Sequence, residues 1–133
     1  MQVLKNVSLT AWAFGVGLSG GAAYADNHGN AFVHSRPFKG QVYVMYQDHM
    51  ALYTYDKDEP GISNCSGTCA LVWKPAILDT GVELGESYSL IERDDGRMQA
   101  AFRGMPLYLY AGDRKPGDIT GDGVDGVWRL ARP

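Results

Sequence analysis

Two cysteines separated by three residues, Cys65-Ser66-Gly67-Thr68-Cys69, are the most reactive side chains in this chain of 133 residues. Free, such a pair is a thiol redox couple or a soft metal ligand; joined, it staples a very short loop. A thioredoxin-like site asks for C-x-x-C at the start of a helix in a βαβ setting, and both spacing and surroundings differ here. A copper site of the C-x-x-x-C kind would add an imidazole, yet His28, His34 and His49 all precede the pair. The spacing suits a local disulfide between Cys65 and Cys69, with a metal or redox pair as the alternative.

Other chemistry is thinly represented. Met45, Met50, Met98 and Met105 with the three histidines could supply thioether and imidazole to Cu(I), but no H-x-x-x-H or M-x-x-M cluster concentrates them. Methionine in a small β core is ordinarily filler. Asp118, Thr120, Asp122 and Gly123 imitate the start of an EF-hand loop, but Arg129 stands where a bidentate glutamate is required. Asp94-Asp95 and Asp56/Asp58 are carboxylate pairs of the sort a glycosidase uses, in stretches that read as solvated turns. Beyond the first 25 residues the chain has no G-x-S-x-G, H-E-x-x-H or P-loop, and the G-x-G-x-x-G spelling at Gly121 to Gly126 lies in an Asp- and Gly-rich loop without the βαβ setting of a dinucleotide fingerprint. We therefore expect no catalytic, cofactor-binding or metal-binding residues.

What the chain does repeat is an aromatic motif. Leu52-Tyr53-Thr54-Tyr55-Asp56-Lys57-Asp58 and Leu107-Tyr108-Leu109-Tyr110-Ala111-Gly112-Asp113 both spell L-Y-x-Y-x-x-D, and the same offset of 55 carries Trp73 onto Trp128 and Met50 onto Met105. A short unit that cannot bury its apolar face alone can bury it against a twin. The motif tyrosines have two readings. In one, Asp58 and Asp113 hold the chain reversal after each strand through turn amides or through tyrosine hydroxyls met across that turn. In the other, Tyr53, Tyr55, Tyr108 and Tyr110 form a stacking surface for a ligand or partner.

The first residues read as an address. Lys5 is the only charge before Asp26, the run from Val7 to Leu18 is mostly apolar, and Ala23-Tyr24-Ala25 is an A-x-A cleavage signature, so residues 1–25 are expected to be a secretory signal peptide cut after Ala25. The apolar run falls short of the roughly 18 residues of a spanning helix, so no membrane insertion is expected in the mature form. Loss of Lys5 leaves 11 basic against 15 acidic residues, a formal charge of −4, with no basic cluster for nucleic acid or anionic lipid. Export places the cysteines where disulfides persist. The expected location is periplasmic or secreted.

These side chains need strands to position them. Gln41–Tyr46 and Met50–Tyr55 flank the polar break Gln47-Asp48-His49 as one hairpin; Arg97–Phe102 and Pro106–Tyr110 flank Arg103-Gly104 as another. Tyr88–Ile91 offers a further strand before the turn Asp94-Asp95-Gly96. A helical turn or two is expected from Ser66 to Trp73, stopped by Pro75. Period two puts Leu52 and Leu107 on a core face and the tyrosines on the opposite one. The expectation is a mostly β, small single domain of two pseudo-symmetric hairpin repeats, barrel-like or sandwich-like. Residues 26–39 form a flexible N-terminal segment, 40–133 the duplicated domain, unit one about 40–76 and unit two about 87–130.

The combination of these motifs with C-x-G-x-C-A-x-x-W-x-P (Cys65 to Pro75), R-D-D-G (Arg93 to Gly96) and P-G-D-x-x-G-D-G-V-x-G-V-W (Pro116 to Trp128) resembles the bacterial secreted repeat of unknown function, whose members are often described as predicted lipoproteins with a Y-x-[FWY]-x-x-D motif. The resemblance runs from about Tyr43 to Leu130 and implies an exported duplicated domain with no activity or cofactor common to the family. This chain lacks a cysteine at the cleavage point, so lipid anchoring is not implied. Lys74 stands where the family often has proline. The functional expectation is an exported binding or interaction module, without catalysis, for an unknown envelope protein or small ligand. The alternative is a periplasmic copper-handling or thiol-redox accessory protein using Cys65 and Cys69.

Overall fold

A computed structural model describes residues 32–133. The signal peptide expected over 1–25, its cleavage point and His28 lie outside the described residues.

The first repeat begins one strand earlier than its sequence suggests, while the second begins at the strand expected near Tyr88. Val33–Phe38 (β1), placed by composition in the flexible segment 26–39, is a strand paired antiparallel along its whole length with Gln41–Tyr46 (β2). Lys39 and Gly40 join them at φ 51° and 83°, the left-handed pair that a two-residue hairpin turn requires. β1 escaped notice because only Val33 is buried and because Pro37, tolerated where a strand has a neighbour on one side only, breaks any strand pattern. In the second unit Tyr88–Glu92 (β5) pairs with Met98–Phe102 (β6) in the same way, Tyr88 opposite Phe102 as Val33 is opposite Tyr46.

The hairpins expected after these strands are brief. Tyr46 N–H donates to the Met50 carbonyl (2.9 Å) and Leu52 N–H to Val44 (3.0 Å), with a single bridge between Met45 and Ala51, before the chain departs into Tyr53–Tyr55 (β3). In unit two β6 pairs with Met105–Pro106 (β7) across Arg103-Gly104, and the chain then departs into Tyr108–Tyr110 (β8).

The departing strands enter a sheet in which the repeats exchange partners. Its order is β4-β8-β3-β9, where β4 is Trp73–Pro75 and β9 is Trp128–Leu130. Tyr53 and Tyr108 pair with each other at the centre. On the outside Tyr55 of unit one lies opposite Trp128 of unit two, and Tyr110 of unit two lies opposite Trp73 of unit one. The exchange continues past the sheet: Ala76 N–H donates to the Leu107 carbonyl (3.0 Å), and Ala131 N–H to the Leu52 carbonyl (2.9 Å). Ala76 to Leu78 thus lies against β6, with Ala76 and Leu78 buried and Leu78 N–H bonded to the Met98 carbonyl (3.0 Å).

Both faces of the motif strands are buried, against the expectation of one core face. Leu52, Leu107, Val44, Ala76, Ala100 and Ala131 form an aliphatic core, and Tyr53, Tyr108, Trp73, Trp128, Met45 and Cys65 belong to an aromatic one. The antiparallel sheets do not close into a barrel. The helix is a single turn, Cys69–Val72 (α1), which Trp73 ends by entering β4; Pro75 sits within β4, an edge strand, rather than acting as the stop.

Candidate functional site

The motif tyrosines and aspartates bond across the repeats, not across their own turns. Tyr53 Oη donates to Asp113 Oδ2 at 2.6 Å, and Tyr108 Oη donates to Asp58 Oδ2 at 2.7 Å. The other oxygen of each carboxylate accepts a loop amide, Asn64 N–H on Asp58 (2.6 Å) and Thr120 N–H on Asp113 (2.8 Å). Each aspartate therefore fixes its own loop and the other repeat's tyrosine together. Burial pushes both tyrosine hydroxyls well above their ordinary range, and the neighbouring carboxylates push the same way. Burial also raises the Asp58 carboxyl, against the lowering effect of Tyr108, Asn64 and Arg93.

Around this lock the aromatic rings run in one stack. Tyr55 lies on Trp128 (centroids 4.2 Å apart), Trp128 on Trp73 (3.9 Å, planes 3° apart) and Trp73 on Tyr110 (4.2 Å). Tyr53 and Tyr108 meet the tryptophans edge-on at 5.5 and 5.2 Å. The surface of four tyrosines considered from sequence is not formed: Tyr53 and Tyr108 are fully buried, while Tyr55 and Tyr110 cap the ends of the stack half-buried.

Cys65 and Cys69 are joined in a disulfide, with Cys65 fully buried beside the aromatic core. With both sulfurs in the bond, neither is a thiolate available to a metal. The loop it closes, residues 65–69, leads directly into α1, whose Leu71 and Val72 are 70% and 46% exposed. An open cleft lies on each side. One, of about 610 Å³, is bordered by Leu71, Ser66, Lys74, Arg93 and Arg97; the other, of about 550 Å³, by Val72, Cys69, Tyr55, Trp73 and Trp128.

Sequence reasoning passed over Arg93 and Gln99, read only as part of a turn and a strand. Arg93, buried, donates from Nη1 to Ser63 Oγ (2.8 Å) and Gln99 Oε1 (2.8 Å) and from Nη2 to the Cys65 carbonyl (3.0 Å), and Gln99 Nε2 donates to the Leu107 carbonyl (2.7 Å). A buried guanidinium needs such partners. It ties the disulfide loop to β6, which the R-D-D-G spelling alone does not reveal.

Four further aspartates, Asp56, Asp95, Asp118 and Asp122, have structural partners. Asp118 accepts the Arg114 and Lys115 amides and the Lys115 ammonium. Asp122 accepts Leu130 N–H and meets Arg132, Asp56 holds Arg129 with two nitrogens, and Asp95 accepts the amide and Nε of Arg97. No group of three or more His, Cys, Asp or Glu side chains arranged for a metal occurs among the described residues. Among the same residues no helix is long and apolar enough to cross a membrane.

A family model described as "Secreted repeat of unknown function" matches residues 39–77 and 89–132, its first match opening just after β1. No curated protein and no solved structure matches the chain significantly.

Proposed function

We propose, from the premise that the chain belongs to the family of secreted repeats of unknown function, that it is an exported, non-catalytic interaction module whose partner-facing surface is the disulfide-stapled turn around α1. The observation that carries this reading is the placement of Leu71 and Val72. Both are large apolar side chains left in solvent on the helical turn that follows a loop fixed by a disulfide, a buried arginine and Asp58, with a cleft on either side. Preorganised apolar groups flanked by polar residues make good contact points because little further ordering is needed on binding. By contrast the motif residues are engaged with one another: Tyr53, Tyr108, Asp58 and Asp113 supply rigidity and leave no reactive group free. The partner that suits this surface is an envelope protein with a complementary apolar patch.

The test is site-specific photo-crosslinking in the native cell envelope, with a benzophenone amino acid at Leu71 or, as control, at the exposed Arg36 of β1. The reading expects a discrete protein adduct from position 71 that Val72→Asp abolishes. Adducts indistinguishable between positions 71 and 36, or none from position 71, would refute it.

A further inference from the structure

The two repeats share their tyrosines, aspartates and tryptophans, so the places where they diverge are where one copy has acquired something of its own. One such place is the turn after β2. Gln47-Asp48-His49 is one residue longer than Arg103-Gly104, its counterpart after β6. His49 takes a left-handed conformation there, φ 69°. Its ring meets that of His34 on β1 edge to face, with centroids 5.3 Å apart and planes at 82°. The strand register puts Ser89 in the second unit where His34 stands in the first, so the pair exists once.

That spacing has a chemical meaning. Two imidazoles that bind one tetrahedral ion through nitrogens at ~2.0–2.1 Å have ring centres ~5 Å apart. The ring centres stand at that separation, so turning the side chains out of their edge-to-face contact would bring a nitrogen of each onto one ion without moving the backbone, and both side chains are half-buried at the rim of the β1–β2 hairpin. Asp48 immediately precedes His49, and Met45 lies directly across the ladder from His34. Imidazole is a good ligand for the borderline divalent ions, and Cys65 and Cys69, joined to each other, do not compete for them.

We propose that His34 and His49 together bind a divalent transition-metal ion of the zinc type, with solvent completing the coordination. The site belongs to the first repeat alone and does not depend on the interaction surface around α1. Zn(II) is the probe. Isothermal titration of the full exported chain, disulfide intact, is expected to give one zinc per chain, and added zinc should raise Tm because the ion binds the folded hairpin. His34→Gln and His49→Ala should each abolish both effects; His49→Ala, in a turn, leaves the strands intact, and far-UV circular dichroism of both variants verifies folding. Loss in both variants supports the site whatever His28→Ala does. An absence of zinc binding by the wild type, or its retention in either the His34 or the His49 variant, overturns the proposal.

Discussion

The hydroxyl of Tyr53 bonds Asp113 at 2.6 Å, sixty residues along the chain, while the aspartate of Tyr53's own motif receives Tyr108. The duplicated motif is thus a reciprocal clasp. Each copy supplies the donor for the other and the acceptor for the other, so neither copy closes alone. The same exchange governs the strands, since Trp73 pairs with Tyr110 and Trp128 with Tyr55. Interdigitation accounts for why a chain of this size buries two cores on opposite sides of strands only three residues long.

The clasp makes the fold sensitive to alkali in a defined direction. Tyr53 and Tyr108 have folded-state values raised above the unfolded value of about 10, so their contribution is fully present below that pH and is lost as pH climbs above it. In a titration followed by absorbance at 295 nm, these two phenols should ionise only together with the loss of the far-UV circular dichroism signal. Ionisation of every tyrosine with the fold intact would contradict their burial.

Acid should act through Asp58 in the unusual sense. Its carboxyl is raised on folding, mainly by burial, so its contribution is greatest below the unfolded value of about 3.9 and declines as pH rises through the folded one. The stability of wild type relative to Asp58→Asn, measured by urea denaturation at successive pH values, should therefore increase as pH falls from neutrality. A relative stability that drops on acidification would mean that the carboxylate is stabilised, not penalised, in the fold.

Gly121 is a point of close approach. A methyl added there would stand 2.8 Å from the Trp73 ring and 3.0 Å from the Tyr53 ring, and Gly121 N–H itself bonds Tyr53 Oη at 3.2 Å. Overpacking of this kind costs about 1–3 kcal/mol. Gly121→Ala should lower the denaturation midpoint accordingly, whereas Gly123→Asn, at a left-handed position with open space around it, should cost little.

The disulfide closes a loop of few residues, so its removal should be tolerable. Replacing both cysteines by alanine is expected to lower stability by about 2 kcal/mol, the low end of the usual range, without loss of fold. A larger effect in calorimetry would show that the α1 turn and its Arg93 contact collapse with the bridge.

Much of this architecture was legible in the residues. The spelling L-Y-x-Y-x-x-D, the spacing of Trp73 and Trp128 and the C-x-x-x-C pair gave the duplication, the strand type and the disulfide partners. The exchange between copies was not, for a physical reason: a tyrosine facing two identical aspartates carries no local information about which it will meet, and the choice is made by where β4 and β9 insert. β1 was hidden by its exposure, since an edge strand with one buried residue needs no alternation. The His34–His49 contact was hidden by the same strand, because without β1 nothing brings residue 34 to the turn after β2. Leu71 and Val72 lie within the helical turn expected from Ser66 to Trp73, and nothing in that expectation said that both would stand exposed.

The most direct test of the clasp is a pair of double-mutant cycles in urea denaturation. Tyr53→Phe combined with Asp113→Asn should show a coupling energy of about 1 kcal/mol, and Tyr53→Phe combined with Asp58→Asn should be additive. The reverse pattern, coupling within the motif and additivity between the repeats, would contradict the exchange of partners on which the account depends.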